Sequence, residues 1–448
     1  MNIEGKKISI IGAVRSGIGA AKLVKKLGGF PFVSDAGNKD KLADSIKILK
    51  ELKLDYEVGV HSSKLFDCAV MIVSPGVPTN SPVVKTAIER NIKVISEVEF
   101  AALFCKGKII AITGTNGKTT TTTLCGYVFN NCGKKTYTAG NIGNAFSEIA
   151  LDVKEDEFVA LEVSSFQLDF TETFKPAVSI ILNITPDHLN RYDNKIENYI
   201  ASKLKILKNQ SSTDRVILNK DDKTLMNSIA SFKTNAVYFS LSEVQANGIY
   251  CAGNDIILSK NSTSVFTCKK GDISLPGNHN LYNAMAVISA AKIFELDNKK
   301  IIEALGSFQG VEHRLEFVRE LEGVKFINDS KATNVDSVWY ALQSYDNSLF
   351  LILGGQDKGN DYNRIKDFVI EKVKKIYAIG SSADKVFNFF HKEVKVEITK
   401  KLEDAVLAAS KEARQGDIVL LSPACASFDM FENYEHRGKV FKEAVNKL

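Results

Sequence analysis

The stretch from Ile110 to Cys125 limits what this chain can fold into more than any other part of the sequence. An apolar run, Ile-Ala-Ile-Thr, leads into Gly-Thr-Asn-Gly-Lys-Thr at 114–119, and more threonines follow. A strand that passes through a glycine loop into a helix presents backbone N–H groups at the helix N-terminus, where phosphate binds. The usual spacing has a glycine six residues before the lysine, and Ile112 stands there instead. The pattern predicts a shortened phosphate-binding loop.

The residue types of this loop suit a nucleotide. Gly114 and Gly117 allow the backbone to close round a phosphate, Lys118 can reach the terminal phosphates, and Thr119 can offer its hydroxyl to Mg²⁺. The alternative is an ordinary joint between a strand and a helix, with glycine for the turn and threonine for the cap. The combination of strand, two glycines, lysine and threonine favours the phosphate loop.

Chain length and pattern predict an α/β protein of three domains, because 448 residues exceed what one hydrophobic core usually supports. Residues 7 to 35 show a strand, a glycine turn, an amphipathic helix and a second strand, as in a Rossmann fold. Val14 stands where the dinucleotide fingerprint needs its second glycine, so we expect no nicotinamide cofactor. The predicted domains are a Rossmann-like domain at 1–95, a central P-loop-type mononucleotide-binding domain at 96–304 and a Rossmann-like domain at 305–448.

Charge and cysteine usage narrow the class of partner and the compartment. Lys and Arg number 58 against 53 Asp and Glu, and a net charge of +5 over this length favours neither nucleic acid nor membrane. The seven cysteines are scattered without a Cys-x-x-Cys pair, which argues against a disulfide framework and a zinc site. No apolar stretch approaches the roughly 20 residues of a membrane helix. These observations predict a cytoplasmic protein that neither binds nucleic acid nor inserts into a membrane. Separately from them, we expect a monomer.

Two further apolar runs end in residues that could carry chemistry. EFVALEVSSFQL and AVSIILNITPDHL are typical of buried parallel strands, and they lead to Glu162 and His188. A carboxylate opposite a phosphate loop is the usual Mg²⁺ ligand, but a solvated strand end explains Glu162 equally well. His188 could ligate a metal or lie exposed at the surface. The residues alone leave both questions open.

A competing hypothesis comes from Asn219-Lys-Asp-Asp222, which matches the Asn-Lys-x-Asp that specifies guanine in GTPases. A switch protein also needs an element that responds to the γ-phosphate, and no Asp-x-x-Gly occurs in the chain. The GTPase interpretation is therefore disfavoured.

The longer motifs occur in a fixed order along the chain. They are LEVSSFQL at 161–168, NITPDHLNRY at 183–192, PGNHN at 276–280 with Asn283, HR at 313–314, NDSKATN at 328–334 and LSPACASFDMF at 421–431. Together with the short phosphate loop they resemble the Mur ligases, and they are most similar to the D-glutamate-adding branch of that family. The resemblance spans all three predicted domains.

The resemblance implies an ATP-dependent amide ligase. ATP would phosphorylate the L-alanine carboxylate of UDP-N-acetylmuramoyl-L-alanine, and the amino group of D-glutamate would displace phosphate from the acyl-phosphate. This is a cytoplasmic step of peptidoglycan precursor synthesis, and so of cell wall biogenesis, cell shape and cell division. The implied cofactors are Mg²⁺, as two ions, and a carbamate that CO₂ forms on Lys203.

The resemblance also implies residue roles. Catalysis is implied for Lys118, Glu162, His188, Lys203 and Arg314. ATP binding is implied for Gly114, Thr115, Asn116, Gly117, Lys118, Thr119, Thr120, Asn283, Arg314, Asp329 and Lys331. Metal binding is implied for Thr119, Glu162, His188 and carbamylated Lys203. The UDP substrate would contact Val14, Arg15, Ser16, Asp35, Ser74, Pro75, Gly76, Asn141 and His188. D-Glutamate would contact Thr333, Lys358, Ser427, Phe428 and Tyr434.

Two other functions fit these motifs less well. A ligase similar to folylpolyglutamate synthetase shares the phosphate loop and a glutamate substrate, but about a hundred residues with a mononucleotide-type pattern precede the loop here. A non-enzymatic nucleotide-binding regulator would not need the loop, the metal-ligand candidates and the C-terminal motifs together.

Overall fold

The computed structural model describes residues 1–229, 235–357 and 359–448. These residues divide into two compact units, Met1–Asp272 with Tyr282–Gly306 and Ile273–Leu281 with Ser307–Leu448. The first unit contains two sheets and the second contains one. Within the described ranges, no helix is long and apolar enough to span a membrane.

The N-terminal sheet is parallel, in the order β3-β2-β1-β4-β5. Its strands are β1 Lys7–Ile11, β2 Phe30–Asp35, β3 Asp55–Val58, β4 Val70–Val73 and β5 Lys93–Ser96. Its helices are α1 Arg15–Lys26, α2 Ala43–Glu51, α3 Pro82–Glu89 and α4 Glu97–Ala102. β1 and β2 confirm the two strands predicted from residues 7 to 35, and helix α1 connects them.

The central sheet has nine strands among the described residues, in the order β14-β13-β12-β11-β10-β9-β6-β8-β7. The strands are β6 Lys108–Thr113, β7 Thr136–Gly140, β8 Phe158–Glu162, β9 Val178–Ile181, β10 Arg215–Asn219, β11 Asn235–Ser240, β12 Gly248–Ala252, β13 Asp255–Lys260 and β14 Thr263–Lys269. The helices are α5 Lys118–Asn131, α6 Phe146–Ile149, α7 Ser165–Leu168, α8 Ile196–Leu204, α9 Lys223–Ser228, α10 Asn278–Ile293 and α11 Asn298–Ser307. β8 and β9 are buried and parallel to β6, as the apolar runs predicted. Strands β13 and β14 are antiparallel.

The second unit contains a sheet in the order β15-β16-β20-β17-β18-β19, parallel except for the edge strand β15. The strands are β15 Glu316–Leu321, β16 Val324–Asn328, β17 Leu349–Gly354, β18 Val373–Ile379, β19 Lys395–Ile398 and β20 Ile418–Leu421. The helices are α12 Val335–Gln343, α13 Asn363–Lys372, α14 Ala383–Phe390, α15 Leu402–Glu412 and α16 Tyr434–Asn446. Apolar clusters cover both faces of this sheet.

The register of the central strands brings three segments to one edge of the sheet. Glu162 at the end of β8 pairs with Ile112 of β6 and with Gly140 of β7. Since parallel strands end at the same edge, the phosphate loop after β6 and the carboxylate of Glu162 lie at the carboxyl ends of neighbouring strands, where open α/β sheets bind ligands.

Candidate active site

The phosphate loop requires glycine at the two positions where its backbone passes closest to neighbouring side chains. Gly117 precedes α5 with a φ of +82°, and a Cβ there would lie 2.5 Å from Asn283 Oδ1. A Cβ on Gly114 would lie 3.0 Å from the Cβ of Leu182. Lys118 folds back over the loop, donating to the carbonyl oxygens of Gly114 at 2.8 Å and Thr115 at 2.7 Å. This geometry places an ammonium group at the N-terminus of a helix, where the helix dipole also favours an anion.

Asn183, which was not among the predicted site residues, holds the loop in this shape. Its Oδ1 accepts from the N–H of Asn116 at 2.8 Å and of Thr115 at 3.1 Å. Its Nδ2 donates to the carbonyl oxygen of Asn116 at 3.0 Å. Asn183 opens the NITPDHLNRY motif, which also contains His188, directly after a buried strand, and this position was the available signal.

Lys203 is buried beneath the same loop. Its side chain is 1 % exposed, and Nζ donates to Gly114 O at 2.7 Å and lies 4.6 Å from the centre of the Tyr199 ring. Burial, and then the positive charge of Lys118, lower the pKa of Lys203 well below its ordinary value, and the carboxylates of Asp187 and Glu162 oppose this only in part. A buried lysine under such conditions favours the neutral amine.

Glu162 offers a buried acceptor next to the loop. The residue is 2 % exposed, and its Oε1 accepts from Asn141 Nδ2 at 2.9 Å. Its Oε2 is buried without a hydrogen-bond partner among the described residues, as is the hydroxyl of Thr120. A buried carboxylate oxygen without a donor is costly unless a cation fills the gap, and oxygen ligands suit Mg²⁺. Glu162 and the buried Thr119 therefore fit a magnesium site.

His188 lies in the left-handed region, with a φ of +53°. Its side chain is 43 % exposed, Nε2 is 3.7 Å from a carboxylate oxygen of Asp187, and its ring lies 5.1 Å from that of Phe166. An accessible imidazole beside an acid can still take a ligand.

A cavity of about 810 Å³ opens at the carboxyl ends of strands β1, β2 and β4 of the N-terminal sheet. It is lined by all but one of the residues predicted to bind the UDP substrate, namely Val14, Arg15, Ser16, Asp35, Ser74, Pro75, Gly76 and Asn141. The exception is His188, which is not among its lining residues. Asn141 also contacts Glu162, so one residue connects the cavity to the candidate metal site. The lining also includes Ala36, His61 and Ser81, which were not among the predicted site residues.

The second unit contains the remaining residues predicted to bind ATP. Asp329 is 2 % exposed and accepts from the Ser422 hydroxyl at 2.8 Å. Burial raises its pKa to about 6, although the guanidinium of Arg314 opposes the change. Arg314 Nε is buried without a partner in the described part of the chain, and Lys331 Nζ lies 5.2 Å above the Tyr434 ring. These groups form an acid and two cations of the kind that suit ribose and phosphate.

Four of the five residues predicted to bind D-glutamate are described, all in the second unit; Lys358 lies outside the described residues. Ser427 is 2 % exposed, whereas Phe428 after it is 68 % exposed. Tyr434 begins α16, and its carbonyl oxygen accepts from the hydroxyl of Ser330 at 2.8 Å, in the same NDSKATN motif as Thr333. This hydrogen bond joins the NDSKATN motif to the start of helix α16.

The Asn-Lys-Asp-Asp tetrapeptide serves the fold of the central domain. Asp221 accepts from Leu241 N at 2.7 Å, from Tyr282 OH at 2.7 Å and from two serine hydroxyls at 2.6 Å. Asp222 accepts from Ile184 N at 2.7 Å and caps α9 through Leu225 N at 2.8 Å. With both carboxylates bound to their own chain, the tetrapeptide is not arranged to bind guanine.

Three family models match the chain in order. The MurD N-terminal domain matches residues 7–83, the Mur ligase middle domain matches 112–291, and the Mur ligase glutamate ligase domain matches 313–425. The chain is 44 % identical over its whole length to 99 % of the UDP-N-acetylmuramoylalanine--D-glutamate ligase of Chloroherpeton thalassium. It is 42 % identical, at 100 % and 99 % coverage, to the ligase of the same name from Salinibacter ruber.

Solved structures of lower identity share the fold. UDP-N-acetylmuramate-alanine ligase MurC of Thermotoga maritima matches at a TM-score of 0.64 and 20 % identity, covering 99 % of each chain. MurF ligase from the same organism, solved with ADP, matches at 0.62 and 17 % identity, covering 93 % of this chain and 95 % of the other.

Proposed function

The chain belongs to the Mur ligase family, and we propose that it joins D-glutamate to UDP-N-acetylmuramoyl-L-alanine in an ATP-dependent reaction. The observation that carries the proposal is the convergence of Lys118 and Lys203 on one carbonyl oxygen of the phosphate loop, beside the buried carboxylate of Glu162. The reaction is a cytoplasmic step of peptidoglycan precursor synthesis, carried out by a monomer.

The chemistry asks for cations and positioning more than for a nucleophilic side chain. A carboxylate is a poor electrophile, so the L-alanine carboxylate of the muramoyl substrate first takes the γ-phosphoryl group of ATP. The amine of D-glutamate then attacks the resulting acyl-phosphate and releases phosphate. Lys118 reaches the transferred phosphoryl group from the helix N-terminus and offsets charge that develops on its oxygens. Holding both reactants in place can lower the barrier by about 7 to 11 kcal/mol.

The residues present fit the implied cofactors. Mg²⁺, when bound, offsets the charge of the phosphate oxygens and aligns them for transfer. Thr119 and Glu162 would hold one ion, and His188 would take part in holding a second. The neutral amine of Lys203 is the form that takes CO₂, and its carbamate would supply a buried anionic ligand.

Residues of both units would supply the remaining contacts. Asn283 of the first unit is assigned to adenine, Asp329 to the ribose hydroxyls, and Arg314 and Lys331 to phosphate. Thr333, Ser427, Phe428 and Tyr434, with Lys358, would hold D-glutamate.

A coupling assay tests this function. The pure protein is incubated with ATP, Mg²⁺ and a muramoyl donor, each amino acid is offered separately, and the new amide is detected by mass spectrometry. We expect D-glutamate to be coupled, and D-alanine and L-glutamate to fail, since a site built around both carboxylates can discriminate by about 10⁴ or more. Coupling of L-alanine to the unsubstituted muramoyl nucleotide, or of L-glutamate to a folate, would reassign the activity, and no coupling with any pair would favour a regulator. Lys118→Ala serves as the inactive control.

A further inference from the structure

His61 lines the cavity at the N-terminal sheet, and one of its ring nitrogens forms a hydrogen bond to a residue of that sheet. Its Nδ1 lies 2.7 Å from the hydroxyl of Ser34, which in turn lies 2.6 Å from Oε1 of Glu57. Ser34 is fully buried on β2. The three side chains form a chain of two hydrogen bonds from Glu57 through Ser34 to His61 at the cavity wall.

The donor and acceptor roles of Glu57 and Ser34 in this chain determine which tautomer His61 adopts. Burial alone would raise the pKa of Glu57, but hydrogen bonds from Ser34 and Ser62 and the nearby His61 lower it below its ordinary value, so the group is an acceptor. Ser34 has one proton, and at 2.6 Å it donates that proton to Glu57. The Ser34 oxygen can then only accept from His61, so the proton of the neutral ring lies on Nδ1. The other nitrogen, Nε2, is left as an acceptor.

Nε2 is also the ring nitrogen left for a ligand, since it makes no hydrogen bond to any residue that the structure describes. The lining of the same cavity is largely apolar, with Pro75, Pro78 and Pro82, and suits a planar ring. It also contains the hydroxyl oxygen of Ser81, which is buried without a partner among the described residues. The lining therefore offers one hydrogen-bond acceptor, Nε2 of His61, and one hydroxyl group, that of Ser81, in apolar surroundings.

We propose that His61 is a specificity-determining residue for the nucleobase of the UDP substrate, with Nε2 accepting the N–H of the pyrimidine imide. This assignment rests on the proposed function, which supplies a uridine nucleotide for the cavity. Uracil has that N–H between two carbonyl oxygens, whereas cytosine has a bare nitrogen at the same position and would face the lone pair of Nε2. The Ser81 hydroxyl can donate to a uracil carbonyl. Ser34 and Glu57 are positioning residues, because they fix the tautomer without lining the cavity.

The test compares donors that differ only at this N–H. The donor kcat/KM is measured by phosphate release for the uridine substrate and its N3-methyluridine and cytidine analogues, with wild type, His61→Ala, His61→Gln and Ser34→Ala. We expect wild type to prefer the uridine donor by about tenfold or more, the value of a hydrogen bond with its partner left unpaired. His61→Ala should raise the donor KM about 5- to 10-fold without changing the KM for ATP or D-glutamate, and should lose most of the preference.

The Gln variant distinguishes recognition from a structural role, since its amide oxygen can accept the same N–H and should restore part of the preference. Ser34→Ala should weaken the preference without altering the cavity wall. His391→Ala, on an exposed histidine of the second unit, should match wild type. A His61→Ala enzyme that keeps the full preference for uridine would overturn the proposal. Calorimetric binding of UDP, N3-methyl-UDP and CDP gives the same comparison without turnover, so failure of the ligase assignment and failure of the His61 assignment are distinguishable.

Discussion

Lys118 and Lys203 donate to the same acceptor, the carbonyl oxygen of Gly114, at 2.8 and 2.7 Å. Lys203 is 1 % exposed, so burial and the charge of Lys118 both oppose its protonation. The shared oxygen holds the amine of Lys203 in place without requiring it to be charged. The lysine that the resemblance marks for carbamylation thus lies where a neutral amine is favoured.

Replacing Lys203 by methionine should separate activity from stability. Because the pKa of Lys203 is lower in the folded than in the unfolded chain, the unfolded chain binds more protons between the two values, and stability falls as the pH drops through that window. We expect Lys203→Met to raise the free energy of unfolding at pH 7 and to flatten its rise towards alkaline pH, while turnover falls about 100-fold or more. Urea unfolding at several pH values and phosphate release measure the two effects.

Acetate should partly restore a Lys203→Ala enzyme by standing in for the missing anion. Lys208→Met, on an exposed neighbour, is the control for both measurements. A folded Lys203 variant with full activity would contradict the role of this residue.

Glu162→Gln should remove a negative charge while keeping an oxygen for Asn141. The amide oxygen can still accept from Asn141 Nδ2, so we expect an unchanged melting temperature within about 3 °C. Turnover should fall about 100-fold or more, and the Mg²⁺ concentration for half-maximal activity should rise. Glu155→Gln, at an exposed position, is the matched control. Wild-type Mg²⁺ dependence in Glu162→Gln would remove the carboxylate from the metal site.

Asn183 should affect the KM for ATP, because its hydrogen bonds hold the phosphate loop in shape. Asn183→Ala removes three hydrogen bonds to Thr115 and Asn116, so we expect the KM for ATP to rise about tenfold. Asn183→Asp should be worse, because it also adds a negative charge close to the phosphates. Steady-state kinetics with varied ATP and fixed donor measure both. Equal effects of the two variants would limit Asn183 to shaping the loop.

The sequence predicted the strands of the fold better than the contacts of the site. β1, β8 and β9 follow from apolar runs because a buried parallel strand is apolar on both faces. The antiparallel pair β13 and β14 was missed, since partly exposed strands at the end of a sheet have a weaker apolar signal than buried ones. Asn183 and His61 were missed because their roles depend on hydrogen bonds to residues 67 and 27 positions away. No local spacing encodes such contacts.

Asp329 should give the ATP affinity a pH dependence. Its folded pKa of about 6 exceeds the ordinary 3.8, so the folded chain binds the extra proton between these values and loses stability as the pH rises through them. A protonated carboxyl is a weaker acceptor for ribose hydroxyls, so the KM for ATP should rise below pH 6, by up to about tenfold per pH unit. In Asp329→Asn the KM should be high at every pH and this dependence should vanish. Asp346→Asn, with a fully exposed side chain, is the control.

Gly117 and Gly133 lie at opposite ends of helix α5. Alanine substitutions at these two positions allow the cost of backbone strain to be measured separately from the cost of a steric clash of the added Cβ. Their φ angles are +82° and +80°, so an alanine at either position suffers the same left-handed strain, about 1 kcal/mol. A Cβ on Gly133 would meet nothing within 4 Å, whereas one on Gly117 would lie 2.5 Å from Asn283 Oδ1 and 3.3 Å from Leu182 Cδ1. Gly133→Ala should therefore lose about 1 kcal/mol of unfolding free energy and keep its KM for ATP.

Gly117→Ala should lose more stability than Gly133→Ala and nearly all ATP-dependent turnover. The collision must move Asn283 or the loop, and both belong to the predicted ATP site, so the backbone N–H groups no longer face a bound phosphate together. Urea unfolding gives the stability difference, and calorimetric titration with ADP reports binding apart from turnover. If Gly117→Ala binds ADP as tightly as Gly133→Ala does, the close approach at Gly117 serves packing alone, and the phosphate site must lie elsewhere in the loop.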